Sequence, residues 1–241
     1  MRAPNCPTLI AQILAVAMLA VGLSGCGADE PQRASAEPDR SSPVTTATPV
    51  AVVDGVLGQP VTVPGQANIY GAGRDQPPAP GGGGPGVLPP RWTLPGEGAR
   101  VVTFPRIAGR VSPIDVTEDN GAAGDRIGPT DVTSYRGISG IVHRRNGMFL
   151  AGVFLADVEP LDHAPRRLDF TKRERFRSLA PRIGQTFMVG DGKGRSFDVP
   201  AGATRLYLGF ADGYLYVGHP GWYDNNGGQL SVTVKLARRS R

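Results

Sequence analysis

The chain has 241 residues, with 26 Lys plus Arg against 21 Asp plus Glu and a formal net charge of +5. Its 34 Gly and 23 Pro exclude a helical bundle, because both residues interrupt helices before they reach core length. Two Cys exclude a disulfide framework, and the basic runs TKRERFR (171–177) and ARRSR (237–241) do not interleave aromatics as a nucleic-acid platform does.

At the N-terminus a lone Arg2 precedes the apolar run LIAQILAVAMLAVGL (9–23), which ends in Leu23-Ser24-Gly25-Cys26. A charged start, a short apolar core and a small-residue cleavage site predict a secretory signal over 1–25, too short for a comfortable membrane span. Leu-Ser-Gly-Cys resembles the lipobox of bacterial lipoproteins. That resemblance implies lipidation at Cys26 and an exported protein held at the bacterial cell envelope, its membrane contact made through the lipid. An ordinary signal with an incidental Cys is the other reading. Cys6 leaves with the signal, so the mature chain closes no disulfide. Residues 26–49 hold Pro, Ser, Thr, Ala and charges without an apolar period and read as a disordered, solvated tether. The remaining 50–241 suit one β-sandwich domain. It carries 23 basic and 17 acidic residues, a surplus spread along the sequence except for 171–177 and 237–241, and a solvated basic surface of this kind suits anionic lipid or polysaccharide.

Strands are predicted at 59–63, 66–71, 100–104, 106–111, 149–155, 185–189, 197–199, 204–210 and 229–236. Many short strands punctuated by Gly and Pro mean an all-β sandwich or barrel. PPAPGGGGPGVLPP (77–90) suits neither a strand interior nor a helix, and long loops at sandwich ends often line ligand sites. DVTEDNGAAGD (115–125) is oxygen-rich but lacks EF-hand spacing, and reads as a solvated loop.

Enzyme signatures are absent, and the chain is not read as an enzyme. No Gly-x-Ser-x-Gly elbow or P-loop occurs; Ser139 in GISGI fails the elbow pattern and IYGAG (69–73) is too short for a dinucleotide fingerprint. His143, His163 and His219 lack the paired spacing of a zinc site. Asp157, Glu159 and Asp162 supply carboxylates at a spacing expected by chance.

The most informative stretch is RLYLGFADGYLYVGHPGWYDNNGGQLSVTVKL (205–236). Leu206, Leu208 and Phe210 fall on one strand face with Arg205 and Tyr207 opposite. Leu230, Val232, Val234 and Leu236 alternate with Ser231, Thr233 and Lys235 in the second strand. The hairpin loop between them carries Asp212, His219, Trp222, Asp224, Asn225 and Asn226. Carboxylate and amide oxygens held at strand ends suit a hard cation such as calcium, and flanking Trp and Tyr suit a sugar ring. Asp224-Asn225-Asn226-Gly227 also has a plain reading as a hairpin turn, since Asn-Gly supplies positive φ. Tyr214 and Tyr216 either line the same rim or cap the sandwich.

PGWYDNNGGQLSV (220–232) resembles the C-terminal calcium loop of the galactophilic PA-I type lectins through Pro220, Gly221, Tyr223, Asn225, Asn226, Gly228, Ser231 and Val232. The resemblance implies a galactose-binding-domain-like jelly-roll sandwich. It further implies side-chain oxygens from Asn225 and Asn226, and a backbone carbonyl from Trp222, bound to calcium. Where those lectins have an Asp two residues before Pro-Gly, this chain has Gly218; Asp212 or Asp224 is the substitute carboxylate. FDVPAGATRLYLGFADG (197–213), GISGIVH (137–143), AGVFLADVEP (151–160), GQTFMVGDG (184–192) and 66–92 read like a related bacterial secreted domain, extending the likeness over most of 55–238. The lectins' sugar-contacting residues do not map here, so galactose recognition is not carried over. The expectation is therefore a surface-tethered, calcium-dependent carbohydrate-binding module, with His219, Trp222 and Tyr223 against the sugar and a galactose-containing glycan as one partner to test. The alternative is a structural or adhesive sandwich stabilised by calcium without sugar binding.

Overall fold

A computed structural model describes residues 51–114, 120–160 and 163–239. The signal, Cys26, the tether, Asp162 and residues 115–119 lie outside the described residues. In chain order the strands are β1 (Asp54–Gly55), β2 (Pro60–Pro64), β3 (Arg91–Thr93), β4 (Arg100–Ser112), β5 (Thr130–Val132), β6 (Ile141–His143) and β7 (Ala151–Leu155). They continue as β8 (Leu168–Asp169), β9 (Ser178–Leu179), β10 (Phe187–Met188), β11 (Ser196–Asp198), β12 (Arg205–Gly209), β13 (Val217–Gly218) and β14 (Gly227–Arg238). Single 3-10 turns occupy Ile69–Gly71, Tyr214–Tyr216 and Tyr223–Asn225. Among the described residues there is no α-helix, and none long and apolar enough to cross a membrane.

Two five-stranded sheets form the layers, ordered β1-β3-β12-β7-β10 and β2-β14-β4-β11-β9. A smaller sheet, β13-β5-β6-β8, lies beside them. The layers meet through aromatic side chains. Phe187 on β10 contacts Phe197 on β11 with ring centroids 4.8 Å apart, and each ring is extended within its own layer by Phe154 and Phe104. This is the all-β, sandwich-like architecture expected from the punctuated strands. Alternation in β14 holds: Leu230, Val232 and Val234 are buried while Ser231 and Lys235 are exposed. In β12 it does not, because Tyr207 is as buried as Leu206 and Leu208. Arg205 donates to the Tyr207 hydroxyl at 3.0 Å and to the Ala156 carbonyl, covering the outer side of this central strand.

Four expectations change. The predicted strands 100–104 and 106–111 are one strand, because β14 runs along both and Val234 stands opposite two residues, Phe104 and Pro105. That bulge tolerates a proline within the ladder. The segment 66–71 is not a strand. The Asn68 side chain accepts from the Tyr70 amide at 2.9 Å and caps a 3-10 turn instead. At 185–189 only Phe187–Met188 pairs, since Gln185 and Thr186 are drawn into side-chain bonds with Arg166, Arg182 and Ser139. Finally, β12 and β14 are not a hairpin. They sit in different sheets, so 210–226 crosses from one layer to the other at one end of the sandwich.

Phe197 is fully buried at the junction of both layers. Phe197→Ala should lower unfolding free energy by about 3–5 kcal/mol, whereas Lys235→Ala should stay within about 0.5 kcal/mol. Urea denaturation of both variants measures this contrast.

Candidate functional site

The crossing segment is held by the Gly-rich loop. Gly81 N donates to the Pro220 carbonyl at 2.8 Å, Trp222 N to Gly82 at 3.1 Å and Tyr223 N to Gly84 at 3.0 Å. The Gly84 amide also donates to Asp224 Oδ1 at 2.8 Å, and Trp222 Nε1 to the Gly81 carbonyl at 3.1 Å. The two backbones are too close for side chains between them. A Cβ at Gly84 would stand 2.3 Å from Asp224 Cβ, one at Gly81 2.3 Å from the His219 carbonyl oxygen. Asn68, buried beneath, ties both ends of the loop by donating to the Pro78 and Pro85 carbonyls at 2.7 and 3.0 Å. The glycine run is therefore a buttress whose spacing is set by missing side chains.

Behind the crossing segment lies a polar cluster. Asp212, only 4% exposed, accepts from the Gly213 amide at 2.7 Å and from Asn226 Nδ2 at 2.8 Å. Tyr223 donates its hydroxyl to the Phe210 carbonyl at 3.1 Å and accepts from the Asp212 amide at 3.0 Å, pinning the loop at two points. Among the described residues no cationic side chain pairs with Asp212. Burial pushes its carboxyl up to about 7, against the opposing pull of Asn226 and Gly213, with Asp224 adding a little repulsion. Asn226 Oδ1 is buried and has no hydrogen-bond partner among the described residues.

A cavity of about 580 Å³ opens above Asp212. Tyr214 and Trp222 wall it with ring centroids 5.2 Å apart, and Ile114, Tyr216 and Asn225 complete the rim. Tyr214 is 59% and Trp222 36% exposed. Three lining residues that are not glycine adopt left-handed backbone: Leu215 at φ 52°, Tyr216 at φ 63° and Trp222 at φ 67°. Such conformations cost about 1–2 kcal/mol each and gather where a fold must aim side chains against local preference.

Of the predicted site residues, Asp212, Trp222 and Asn225 line this cavity, and Asn226 joins it from behind through Asp212. Asp224 turns instead to the Gly84 amide. His219 faces β5, its Nδ1 3.2 Å from Thr133 Oγ1, and is not part of the cavity wall. The Tyr223 ring is fully buried and offers no face to a ligand, which corrects its assignment to the sugar surface. The hairpin-turn reading of 224–227 also falls: Asn226 has φ −75° and Asn225 closes a 3-10 turn, so no Asn-Gly turn forms. Ser112, Ile114 and Ile127 were not legible as site residues, since their approach depends on how β4 ends beside the crossing segment.

The residues fit a hard cation. A buried carboxylate without a cationic partner and an amide oxygen without a donor are groups that a hard cation such as calcium would satisfy. Comparison with protein-family models, with curated proteins and with solved structures finds no match for this chain.

Two outcomes follow from the geometry. Gly84→Ala forces Asp224 aside and should cost about 1–3 kcal/mol, read as a lowered denaturation midpoint. The Asp212 carboxyl titrates at about 7 in the fold against 3.8 as an ordinary carboxyl, so the proton favours the folded state. Its contribution is full below 3.8 and lost as pH rises through about 7. Without calcium, urea denaturation should show wild type losing stability relative to Asp212→Asn as pH rises from 4 to 7.

Proposed function

We propose that this chain is a calcium-dependent carbohydrate-binding module of galactose-binding-domain-like, jelly-roll type, related to the PA-I type lectins and carried at the envelope by a lipid on Cys26. The observation that carries the reading is the convergence, in one cavity, of an uncompensated buried Asp212 with a half-exposed Tyr214–Trp222 pair. Asp212, Asn225 and Asn226, with the Trp222 carbonyl, would hold the ion. Bound there, calcium supplies positive charge to the carboxylate and open coordination positions for two adjacent hydroxyls. The aromatic wall contributes the apolar face of recognition, since sugar rings present C–H surfaces that stack on Trp and Tyr. Trp222 is fixed for this role by its indole bond to Gly81, which removes a side-chain freedom otherwise lost on binding.

A second reading, a calcium-stabilised structural or adhesive domain, is favoured by one observation. Both Asp212 oxygens already accept bonds from within the loop, so an ion here would serve the fold even without a sugar.

Calorimetry and thermal melts of the full chain test both readings. Calcium at about a hundred times its dissociation constant should stabilise the fold by about 2.7 kcal/mol, and Asp212→Asn should abolish the gain. Because Asp212 must shed its proton to bind the ion, calcium affinity should rise with pH up to about 7 and level off above it. A glycan array read with calcium and with chelator separates the two: calcium-dependent glycan binding lost in Trp222→Ala supports the module. Stabilisation by calcium with no glycan bound supports the structural domain. Absence of any calcium effect defeats both.

A further inference from the structure

Residues 166–182, RRLDFTKRERFRSLAPR, hold seven basic and two acidic residues. That surplus of five equals the net charge of the whole chain. Around β8 and β9 this segment folds over a pocket of about 460 Å³, far from any role given to the cavity above Asp212. We propose that this pocket binds a phosphate group, presented either as free phosphate or on a lipid headgroup.

Its floor is apolar and rigid. Phe170 and Phe176 lie 5.7 Å apart, and Phe176 packs edge-on against Phe197 of the central core at 5.8 Å. Arg195 stacks on Phe176 at 4.8 Å and donates to the Glu174 carbonyl at 2.8 Å, anchoring this turn from outside the pocket. Four arginines, Arg166, Arg167, Arg173 and Arg182, line the pocket. Arg166, Arg173 and Arg182 are exposed, and among the described residues none gives its guanidinium to a hydrogen bond or an ion pair. Arg167, the fourth, is already spent on Asp131 at 2.7 Å and on the Val132 carbonyl. The acidic lining residue, Asp169, accepts from the Thr171 amide at 2.8 Å.

Gln185 makes the rim a built arrangement. It is 7% exposed, donates Nε2 to the Arg166 carbonyl at 2.7 Å and accepts from the Arg182 amide at 3.0 Å. One buried amide thus fixes the backbone positions from which two of the free arginines reach the pocket. Three like charges beside a single carboxylate repel one another, and an anion among them relieves that repulsion. Three unpaired guanidinia less one carboxylate leave a local charge of two, matching a phosphate monoester at neutral pH, which carries about −1.5 to −2. Phosphate also has the oxygens to accept from three guanidinia at once, whereas a carboxylate has two. An apolar floor lowers the local dielectric and strengthens each such bond.

The test uses the full chain, with R173Q/R182Q against R106Q/R238Q, a control that removes the same charge from exposed positions outside the pocket. Inorganic phosphate is titrated calorimetrically, and binding to vesicles containing phosphatidic acid, whose headgroup is a phosphate monoester, is compared with binding to phosphatidylcholine vesicles to subtract any contribution of the apolar N-terminus. All four arginines are exposed, so thermal melts should match wild type and verify folding. Expected is a loss of at least about tenfold in R173Q/R182Q with the control near wild type, weakening further with added salt. Loss seen with inorganic phosphate assigns the site to free phosphate groups; loss seen only with the anionic vesicles assigns it to a headgroup. If neither probe binds, or both double variants lose equally, the pocket is not a phosphate site.

Discussion

Two stretches of backbone, residues 81–86 and 219–224, lie against each other so closely that a single methyl group would part them, and this contact underlies the whole end of the sandwich. The layers are joined there by a crossing segment that has no strand partner along most of its length. Its amides and carbonyls still require partners once buried. The Gly-rich loop supplies them, donor for acceptor, from Gly81 to Gly84. With that support the segment can hold Leu215, Tyr216 and Trp222 in left-handed backbone, which aims Trp222 at Tyr214 and leaves Asp212 at the cavity floor. Without it the strain would relax and the cavity would lose its shape.

Asp212 shows how the fold sets stability against readiness to bind. Its bonds to Gly213 and Asn226 do not offset the loss of solvation, so the carboxyl is held near neutrality's edge. A group so placed is costly to a purely structural protein and useful to one that takes up a cation or proton. The basic pocket at 166–182 follows the same logic with the opposite sign. There the protein gathers unpaired guanidinia over an apolar floor, far along the chain from the acidic cluster. A sandwich core dense with aromatics gives both arrangements a rigid base.

Much of this was readable from residues alone. Period-two alternation located β14, and Gly and Pro density excluded helices, because those signals arise from backbone sterics and burial on one face. The oxygen-rich loop was recognisable for a similar reason: Asp, Asn and Trp gathered in a few residues cannot be buried in a strand. Pro105 misled, since a proline reads as a strand end unless a bulge in its own strand accommodates it. Asn68 misled too, because its side chain competes for the backbone bonds a strand would have used.

Local sequence determined which segments extend, which turn, and where oxygen, aromatic and cationic groups concentrate, all properties of neighbours within a few residues. Tertiary structure alone decided that β12 and β14 belong to different layers and that Tyr223 faces inward while Trp222 faces out. It also decided that a glycine run more than a hundred residues upstream is what holds the site open. The reason is physical: pairing partners, burial and close approach are relations between distant segments, and no spacing within either segment encodes the other's position.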